Sequence, residues 1–305
     1  MNGINVIPMK RATHKQDSMK LMLDEFKIFF DLDEMPFSLL PNTSYYVDLP
    51  SHQQCFSMLM FAVASGEGII KVIGEVGTGK TLLCRRLLNS LNEDEYYSAY
   101  IPNPNLNPVE LKRALAKELQ VPDLGWLGDD ELMEAINKRL LKFALNNKRV
   151  VLVIDEAQSL PDESIEALRL LTNLETESEK LMQIVMFAQP ELDEILNKYH
   201  LRQLRQRITF SQKLDLLNKS HIRQYVHHRL AVAGYNGKSI FNDGAINALY
   251  EYSNGVPRLI SILCGKALLI AFSKGERSVT KAMIKRAAKD TECIQFQPKW
   301  FFGLV

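Results

Sequence analysis

The sequence predicts an α/β fold, in which a five-stranded parallel sheet surrounded by helices is followed by a small all-helical domain. Three observations support this class. Residues 74–81 form a glycine-rich loop that follows a short apolar run and precedes a helical pattern. Further short apolar runs alternate with helical patterns downstream, as in parallel sheets whose strands are covered on both faces. From residue 217 onward the apolar spacing is helical.

The domains follow from these patterns in chain order. Residues 1–24 are polar without a clear period and are expected to be an N-terminal extension. Residues 25–216 are expected to form a nucleotide-binding α/β domain and residues 217–291 a helical lid domain. The aromatic C-terminal tail, 292–305, would contact a partner or membrane if exposed, or fold back onto the lid. Strands are predicted over 69–73, 96–101, 150–154, 183–187 and 208–214.

The glycine-rich loop matches the phosphate-loop pattern, in which two glycines five residues apart are followed by Lys and Thr. Its members are Gly74, Glu75, Val76, Gly77, Thr78, Gly79, Lys80 and Thr81. Glycines are needed because backbone N–H groups must converge closely on a polyphosphate. Lys80 is expected to reach the β- and γ-phosphates, and the Thr81 hydroxyl to ligate Mg²⁺. The loop therefore predicts a site for ATP with Mg²⁺.

Aromatic residues upstream of the first strand are candidates for the wall of an adenine pocket. They are Tyr45, Tyr46 and His52, the last of which lies in a helical pattern that begins near residue 51. Residues just before such a strand can lie beside the base of the nucleotide. Ordinary packing of aromatic side chains explains them equally well.

Two acidic residues, Asp155 and Glu156, follow the apolar run 150–154. A carboxylate at the carboxyl end of a strand beside a phosphate loop can hold Mg²⁺, and a neighbouring one can polarise the attacking water. Acid pairs also serve as helix caps, but the position after a buried strand favours catalysis. Asp155 is thus the predicted metal ligand together with Thr81, and Glu156 the predicted base. The run 96–101 lies between the two motifs, which favours the P-loop branch with such a catalytic glutamate.

Polar residues near later strand and helix ends complete the predicted site. Gln189 follows the fourth strand and is expected to contact the γ-phosphate or the attacking water. Arg202, Arg205 and Arg207 precede the fifth strand, from where an arginine can reach a neighbouring subunit's nucleotide and raise its rate by about 10³ to 10⁵. Surface ion pairs of little energy would equally explain them. Arg207 is the preferred candidate for such an arginine, called an arginine finger, although the sequence alone does not decide which of the three has this role. Arg258, in the first turn of a lid helix, is expected to clamp the nucleotide.

Composition and charge restrict the partners and the cellular location that are expected for the chain. The net charge is +1 and no obvious basic stripe runs along the chain, which counts against nucleic-acid binding. Lysines in the last helical pattern, 279–288, keep that possibility open. No stretch reaches the roughly 18 apolar residues that a membrane span needs, and no apolar segment follows the N-terminal basic residues as in a secretory signal. Four widely spaced cysteines indicate neither a zinc site nor a disulfide framework. A cytoplasmic location is expected.

Five segments together resemble the AAA+ ATPases of the ExeA/GspA type. They are GEVGTGKT at 74–81, VLVIDEAQ at 151–158, QIVMFAQPEL at 183–192, LRQLRQRI at 201–208 and NGVPRL at 254–259. The resemblance covers about residues 25–290 and implies a P-loop AAA+ (ASCE) core with a lid. It implies roles for seven residues: Lys80 and Thr81 in Walker A, Asp155 and Glu156 in Walker B, Gln189 as first sensor, Arg207 as finger and Arg258 as second sensor. Ala188 departs from the family, which usually has Gly there.

The same resemblance implies a biological role. It implies a Mg²⁺-dependent ATPase that acts as a nucleotide-dependent homo-oligomer and supports assembly of a type IV pilus of the mannose-sensitive haemagglutinin (MSHA) kind, or of related type II secretion machinery. The partner would be an inner-membrane component, and the chain would lie peripherally on the cytoplasmic face of that membrane. Secretion-type relatives continue into a transmembrane segment and a peptidoglycan-binding domain, whereas this chain ends at Val305, so cell-wall binding is not expected. The alternatives are a DNA-associated AAA+ ATPase of the transposition-helper type and a nucleotide-gated scaffold that hardly turns over.

Overall fold

The structure, a computed structural model, describes residues 11–175 and 180–292. The chain divides into two compact units. Of the described residues, those from 41 to 216 form an α/β unit, and those from 11 to 40 form a helical unit together with those from 217 to 292.

The α/β unit is built on a parallel sheet of five strands. They are β1 (Ile69–Ile73), β2 (Tyr96–Ile101), β3 (Arg149–Ile154), β4 (Met182–Ala188) and β5 (Ile208–Lys213). Their order across the sheet is β2-β3-β4-β1-β5, and every neighbouring pair is parallel. All seven residues of β4 are buried, as a strand covered on both faces requires. The predicted fold class is confirmed.

Helices cover the sheet and build the second unit. In the described ranges the α-helices are α1 (Arg11–Phe30), α2 (Pro50–Ala64), α3 (Lys80–Ser90), α4 (Pro108–Glu118), α5 (Asp129–Leu145), α6 (Asp162–Leu171), α7 (Glu191–Leu196), α8 (Arg202–Arg205), α9 (Lys219–Val232), α10 (Asp243–Ser253), α11 (Pro257–Ser273) and α12 (Lys281–Lys289). Helices α2 to α8 belong to the α/β unit, whereas α1 and α9 to α12 belong to the helical unit. Among these described helices, none is both long and apolar enough to cross a bilayer.

Two apolar layers hold the sheet between its helices. Side chains alternate along a strand, so Leu152 and Ile154 of β3 join the cluster that contains α4, α5 and α6. Val151 and Val153 join the opposite cluster, which contains α2 and α3. Since all five strands are parallel, their carboxyl ends lie at one edge of the sheet. The glycine-rich loop, the acidic pair and Gln189 follow β1, β3 and β4 at that edge.

The N-terminal segment differs from the expected domain boundaries. Helix α1 begins at Arg11, within the segment expected to be an extension, and residues 25–40 belong to the helical unit rather than to the α/β unit. Phe26, 2% exposed, packs edge-to-face on Phe272 of α11 with ring centroids 5.5 Å apart. The buried guanidinium of Arg229 donates to the carbonyls of Pro36 and Ser38. These long-range contacts fix the segment, and no local pattern reports them. Residues 1–10, and all of the predicted tail except Glu292, lie outside the described residues.

Candidate nucleotide-binding and catalytic site

The glycine-rich loop has a backbone that requires its glycines. Gly77 and Gly79 have φ values of +79° and +100°, in the left-handed region that side chains disfavour. A Cβ on Gly74 would lie 2.7 Å from the Thr78 hydroxyl oxygen. The Gly74 N–H donates to the Ala188 carbonyl at 3.1 Å, which ties the start of the loop to the end of β4. These glycines give the loop a backbone conformation that lets it approach a phosphate group closely.

Lys80 is the first residue of α3 and is only 5% exposed. Its ammonium donates to the loop carbonyls of Gly74 at 2.7 Å and Glu75 at 3.0 Å. Burial lowers the pKa of Lys80, although the carboxylates of Glu156 and Asp155 act in the opposite direction. A desolvated ammonium at a helix N-terminus attracts an anion strongly. The residue therefore suits the phosphate contact that its position in the motif predicts.

His52 of α2 contacts the backbone of the loop. Its Nε2 lies 2.9 Å from the Thr78 carbonyl oxygen, and the residue is 6% exposed. Burial lowers the pKa of His52, so the ring is neutral near neutral pH and its Nε2 carries the proton that the carbonyl accepts. The sequence predicts His52 only as a candidate for the adenine pocket. Its support of the loop spans 26 residues of sequence, so no local pattern reports it.

Asp155 and Thr81 form an oxygen-rich pair at the end of β3. Asp155 is 3% exposed and its Oδ1 accepts the Glu156 N–H at 3.0 Å. Burial raises the pKa of Asp155, while a hydrogen bond from the Thr81 hydroxyl acts to lower it. A buried carboxylate beside a hydroxyl matches the hard oxygen donors that Mg²⁺ prefers, and a cation here would offset the cost of burying the charge. The two residues fit the predicted metal-ligand roles.

Glu156 is surrounded by two amide side chains. Nε2 of Gln189 and Nε2 of Gln158 both donate to its Oε2, at 2.9 Å and 2.6 Å. The backbone of Glu156 has φ +55°, a left-handed conformation that costs a non-glycine residue about 1–2 kcal/mol. Burial acts to raise the pKa of Glu156, but the donors Gln189 and Gln158, together with Lys80, outweigh it and the pKa is lowered. The carboxylate is thus held ionised, as a general base must be.

The structure brings together most of the residues predicted from the sequence. The loop, Asp155, Glu156 and Gln189 converge at the carboxyl edge of the sheet, with Lys80 close enough to both carboxylates to influence their pKa values. Gln158 also belongs to this cluster, and it is not among the site residues predicted from the sequence. The available signal was its place two residues after Glu156, at the same strand end.

The predicted arginines lie elsewhere in their units. Arg207 is half-buried and donates to the Thr172 hydroxyl at 3.0 Å. Arg205 and Arg202 are exposed and donate to Asn197 and Tyr199, respectively. Within the described ranges, none of the three hydrogen-bonds to the cluster around Lys80. The last predicted residue, Arg258, is exposed in the first turn of α11, in the helical unit.

The fold is of the P-loop AAA+ class. Residues 63–196 match the family model described as an AAA domain. Over 277 residues, which are 91% of this chain and 50% of the relative, the sequence is 40% identical to General secretion pathway protein A of Aeromonas hydrophila. The chain is thus homologous to that protein and spans about half its length.

Two solved structures illustrate the same fold. The Aeropyrum pernix ORC2 protein in ADPNP-ADP complexes aligns with a TM-score of 0.62 and 15% identity, over 87% of this chain and 73% of that chain. Cdc6p of Pyrobaculum aerophilum aligns with a TM-score of 0.64 and 17% identity, over 85% and 71%. At these identities the likeness shows the fold alone.

Proposed function

We propose that the chain binds ATP with Mg²⁺ at the loop 74–81 and hydrolyses it. The observation that carries this proposal is the cluster of buried Lys80, Asp155 beside Thr81, and an ionised Glu156 at one edge of the sheet. The loop N–H groups and Lys80 would hold the β- and γ-phosphates, and Thr81 with Asp155 would hold Mg²⁺. The metal would neutralise charge on the phosphate oxygens.

In the proposed reaction Glu156 accepts a proton from the attacking water. The water oxygen bonds to the γ-phosphorus while the bond to the β–γ bridging oxygen breaks, and ADP leaves with that electron pair. Gln189 orients the water or the γ-phosphate. We also propose that Arg258 contacts the nucleotide as second sensor and that Arg207 reaches the site of a neighbouring subunit, so that the active form is a homo-oligomer.

The loop is tested by Lys80→Ala against the control Lys138→Ala, which removes an exposed lysine of α5. We expect Lys80→Ala to lower ATP hydrolysis by about 10²-fold or more, because one preorganised cation on the reacting phosphate is removed. Lys138→Ala should retain full activity. Hydrolysis by Lys80→Ala at the natural rate would place the activity outside this site and reject the proposal.

For the cellular role, we propose support of assembly of an MSHA-type pilus, in the manner of the pilus biogenesis protein MshM, or of related type II secretion machinery. The 40% identity to General secretion pathway protein A supports this direction. The chain would act from the cytoplasm, peripherally on the inner membrane. Deleting its gene should remove surface pili or secreted enzymes, and the natural chain, but not Glu156→Gln, should restore them. Normal piliation and normal secretion in the deletion strain would reject this role.

A DNA-associated role is the second candidate, and one surface favours it. Lys281, Lys285 and Lys289 lie four residues apart and exposed on α12, with Arg286 beside them. Fluorescence anisotropy with duplex DNA and ATP separates the two roles. Tight binding that weakens steeply with salt, and that Lys285→Glu reduces, would favour the DNA role, whereas absence of binding at low salt would remove it.

A further inference from the structure

We propose that Gln158 is a positioning residue for the general base, and that its amide ties the Glu156 carboxylate to the end of β4. The proposal rests on the proposed hydrolysis of ATP. Both ends of the amide are engaged: Nε2 donates to Glu156 Oε2 at 2.6 Å, and Oε1 accepts the backbone N–H of Gln189 at 3.0 Å. One side chain therefore joins the second residue after β3 to the first residue after β4.

These partners fix the orientation of the amide. A carboxylate can only accept and a backbone N–H can only donate, so the nitrogen must face Glu156 and the oxygen must face Gln189. Gln158 lies in a single 3₁₀ turn, Ala157–Ser159, whose Ser159 N–H bonds back to the Glu156 carbonyl at 2.9 Å. Buried Ala157 and Leu160 anchor this turn in the core. The side chain is thus presented from a rigid support.

The contact also makes the two oxygens of the Glu156 carboxylate unequal. Gln158 and Gln189 both donate a hydrogen bond to Oε2, and among the described residues no hydrogen bond reaches Oε1. Oε1 is therefore the oxygen left available to accept a proton from the attacking water, whereas Oε2 is held by the two amides. Two donors on a single oxygen stabilise the ionised form and prevent rotation of the carboxylate.

The same bonds connect the base with the phosphate loop. Gln158 holds the Gln189 N–H, and the neighbouring Ala188 carbonyl accepts the Gly74 N–H at 3.1 Å. A short path of hydrogen bonds thus runs from the first glycine of the loop through the end of β4 to the catalytic carboxylate. Because Gln158 bonds to both segments, a shift of the end of β4 would move the Glu156 carboxylate with it.

Two variants and one control test this role. Gln158→Glu keeps an acceptor for the Gln189 N–H but replaces the donor by a like charge, whereas Gln158→Met removes both hydrogen bonds at similar size. Gln120→Glu adds the same charge at an exposed position after α4. For each, kcat, the affinity for ATP and the thermal midpoint would be measured.

We expect kcat near neutral pH to fall about tenfold in Gln158→Met and further in Gln158→Glu, with ATP affinity within about threefold. Gln120→Glu should leave both kcat and ATP affinity unchanged. A fall of kcat at nearly unchanged ATP affinity therefore separates positioning of the base from binding of the nucleotide.

Three results would overturn the proposal. The first is an unchanged kcat in both variants. The second is weaker ATP binding with natural kcat at saturation, which would make Gln158 a binding residue. The third is a loss of kcat that merely parallels a loss of thermal midpoint. If instead the natural chain has no hydrolysis that depends on Lys80, the proposed function itself fails.

Discussion

At the scale of single residues, Asp155 is a buried side chain whose negative charge the folded protein must accommodate. Its pKa is raised above the ordinary 3.8, chiefly by burial. Folding therefore favours the protonated form, so this group's contribution to stability is present below the ordinary value and is lost as pH rises through the raised value. Near neutral pH the charged carboxylate destabilises the fold.

We accordingly predict that Asp155→Asn raises the thermal midpoint near neutral pH. An increase of about 2–4 °C corresponds to about 1 kcal/mol in a protein of this size. The difference should shrink as pH falls toward the ordinary aspartate value, and Asp94→Asn, at an exposed position, should show none. Scanning fluorimetry across pH measures this, and a midpoint lowered at neutral pH would contradict it. Adding ATP with Mg²⁺ should stabilise the natural chain more than Asp155→Asn.

Glu156 allows a second prediction at the same scale. Glu156→Gln should lower kcat by about 10²- to 10⁴-fold, because the amide cannot accept the proton of the attacking water. Affinity for ATP should change by less than about threefold, since the phosphate contacts belong to the loop. Steady-state hydrolysis and equilibrium nucleotide binding measure the two effects. The matched control is Glu163→Gln, at an exposed position of α6, which should leave both unchanged. Natural kcat in Glu156→Gln would contradict the role of base.

At the scale of elements, the turn between α10 and α11 depends on one glycine. Gly255 has φ +80°, and a Cβ on it would lie 2.1 Å from the Leu217 carbonyl oxygen. Its own carbonyl accepts the Leu217 N–H at 2.9 Å. This close backbone contact sets the start of α11, and hence the position of Arg258 in the first turn.

We predict that Gly255→Ala lowers the free energy of unfolding by about 3 kcal/mol, since backbone strain and a backbone clash act together. Gly275→Ala is the matched control, because Gly275 also has a positive φ, +68°, but open space around it. That variant should lose only about 1 kcal/mol. Urea unfolding followed by circular dichroism measures both. Equal losses would show that the Leu217 contact is not what requires glycine.

The elements also show what could be predicted from the sequence. The predicted strand 69–73 matches β1, and 150–154 lies within β3, because buried parallel strands are continuous apolar runs. The loop and the acidic pair were predictable because their chemistry requires particular residue types at fixed spacing. A local sequence pattern does not show which distant segments contact each other. The packing of residues 25–40 with the helical unit, and the support of the loop by His52, therefore required the structure.

At the scale of the whole molecule, the arginines before β5 bear on how subunits would cooperate. Each is held by a partner in its own subunit: Arg207 by Thr172, Arg205 by Asn197 and Arg202 by Tyr199. In the described ranges none of the three hydrogen-bonds to the chain's own candidate site around Lys80 and Glu156. An arginine that completes a neighbour's site would have this placement, and the interface would be of the head-to-tail kind.

We predict that specific ATPase activity rises with protein concentration and that Arg207→Ala abolishes this rise, whereas Arg202→Ala and Arg205→Ala should retain it. Mixing inactive Arg207→Ala with inactive Lys80→Ala should restore activity, because a Lys80→Ala subunit can supply Arg207 to a neighbour whose loop is intact. In randomly mixed head-to-tail oligomers, half the subunits have an intact loop and half of those have the right neighbour, so roughly a quarter of the natural rate is expected. If Arg205→Ala, and not Arg207→Ala, shows this behaviour, Arg205 is the finger. Activity per subunit that stays flat with concentration, with all three variants active, would mean that each subunit hydrolyses ATP alone.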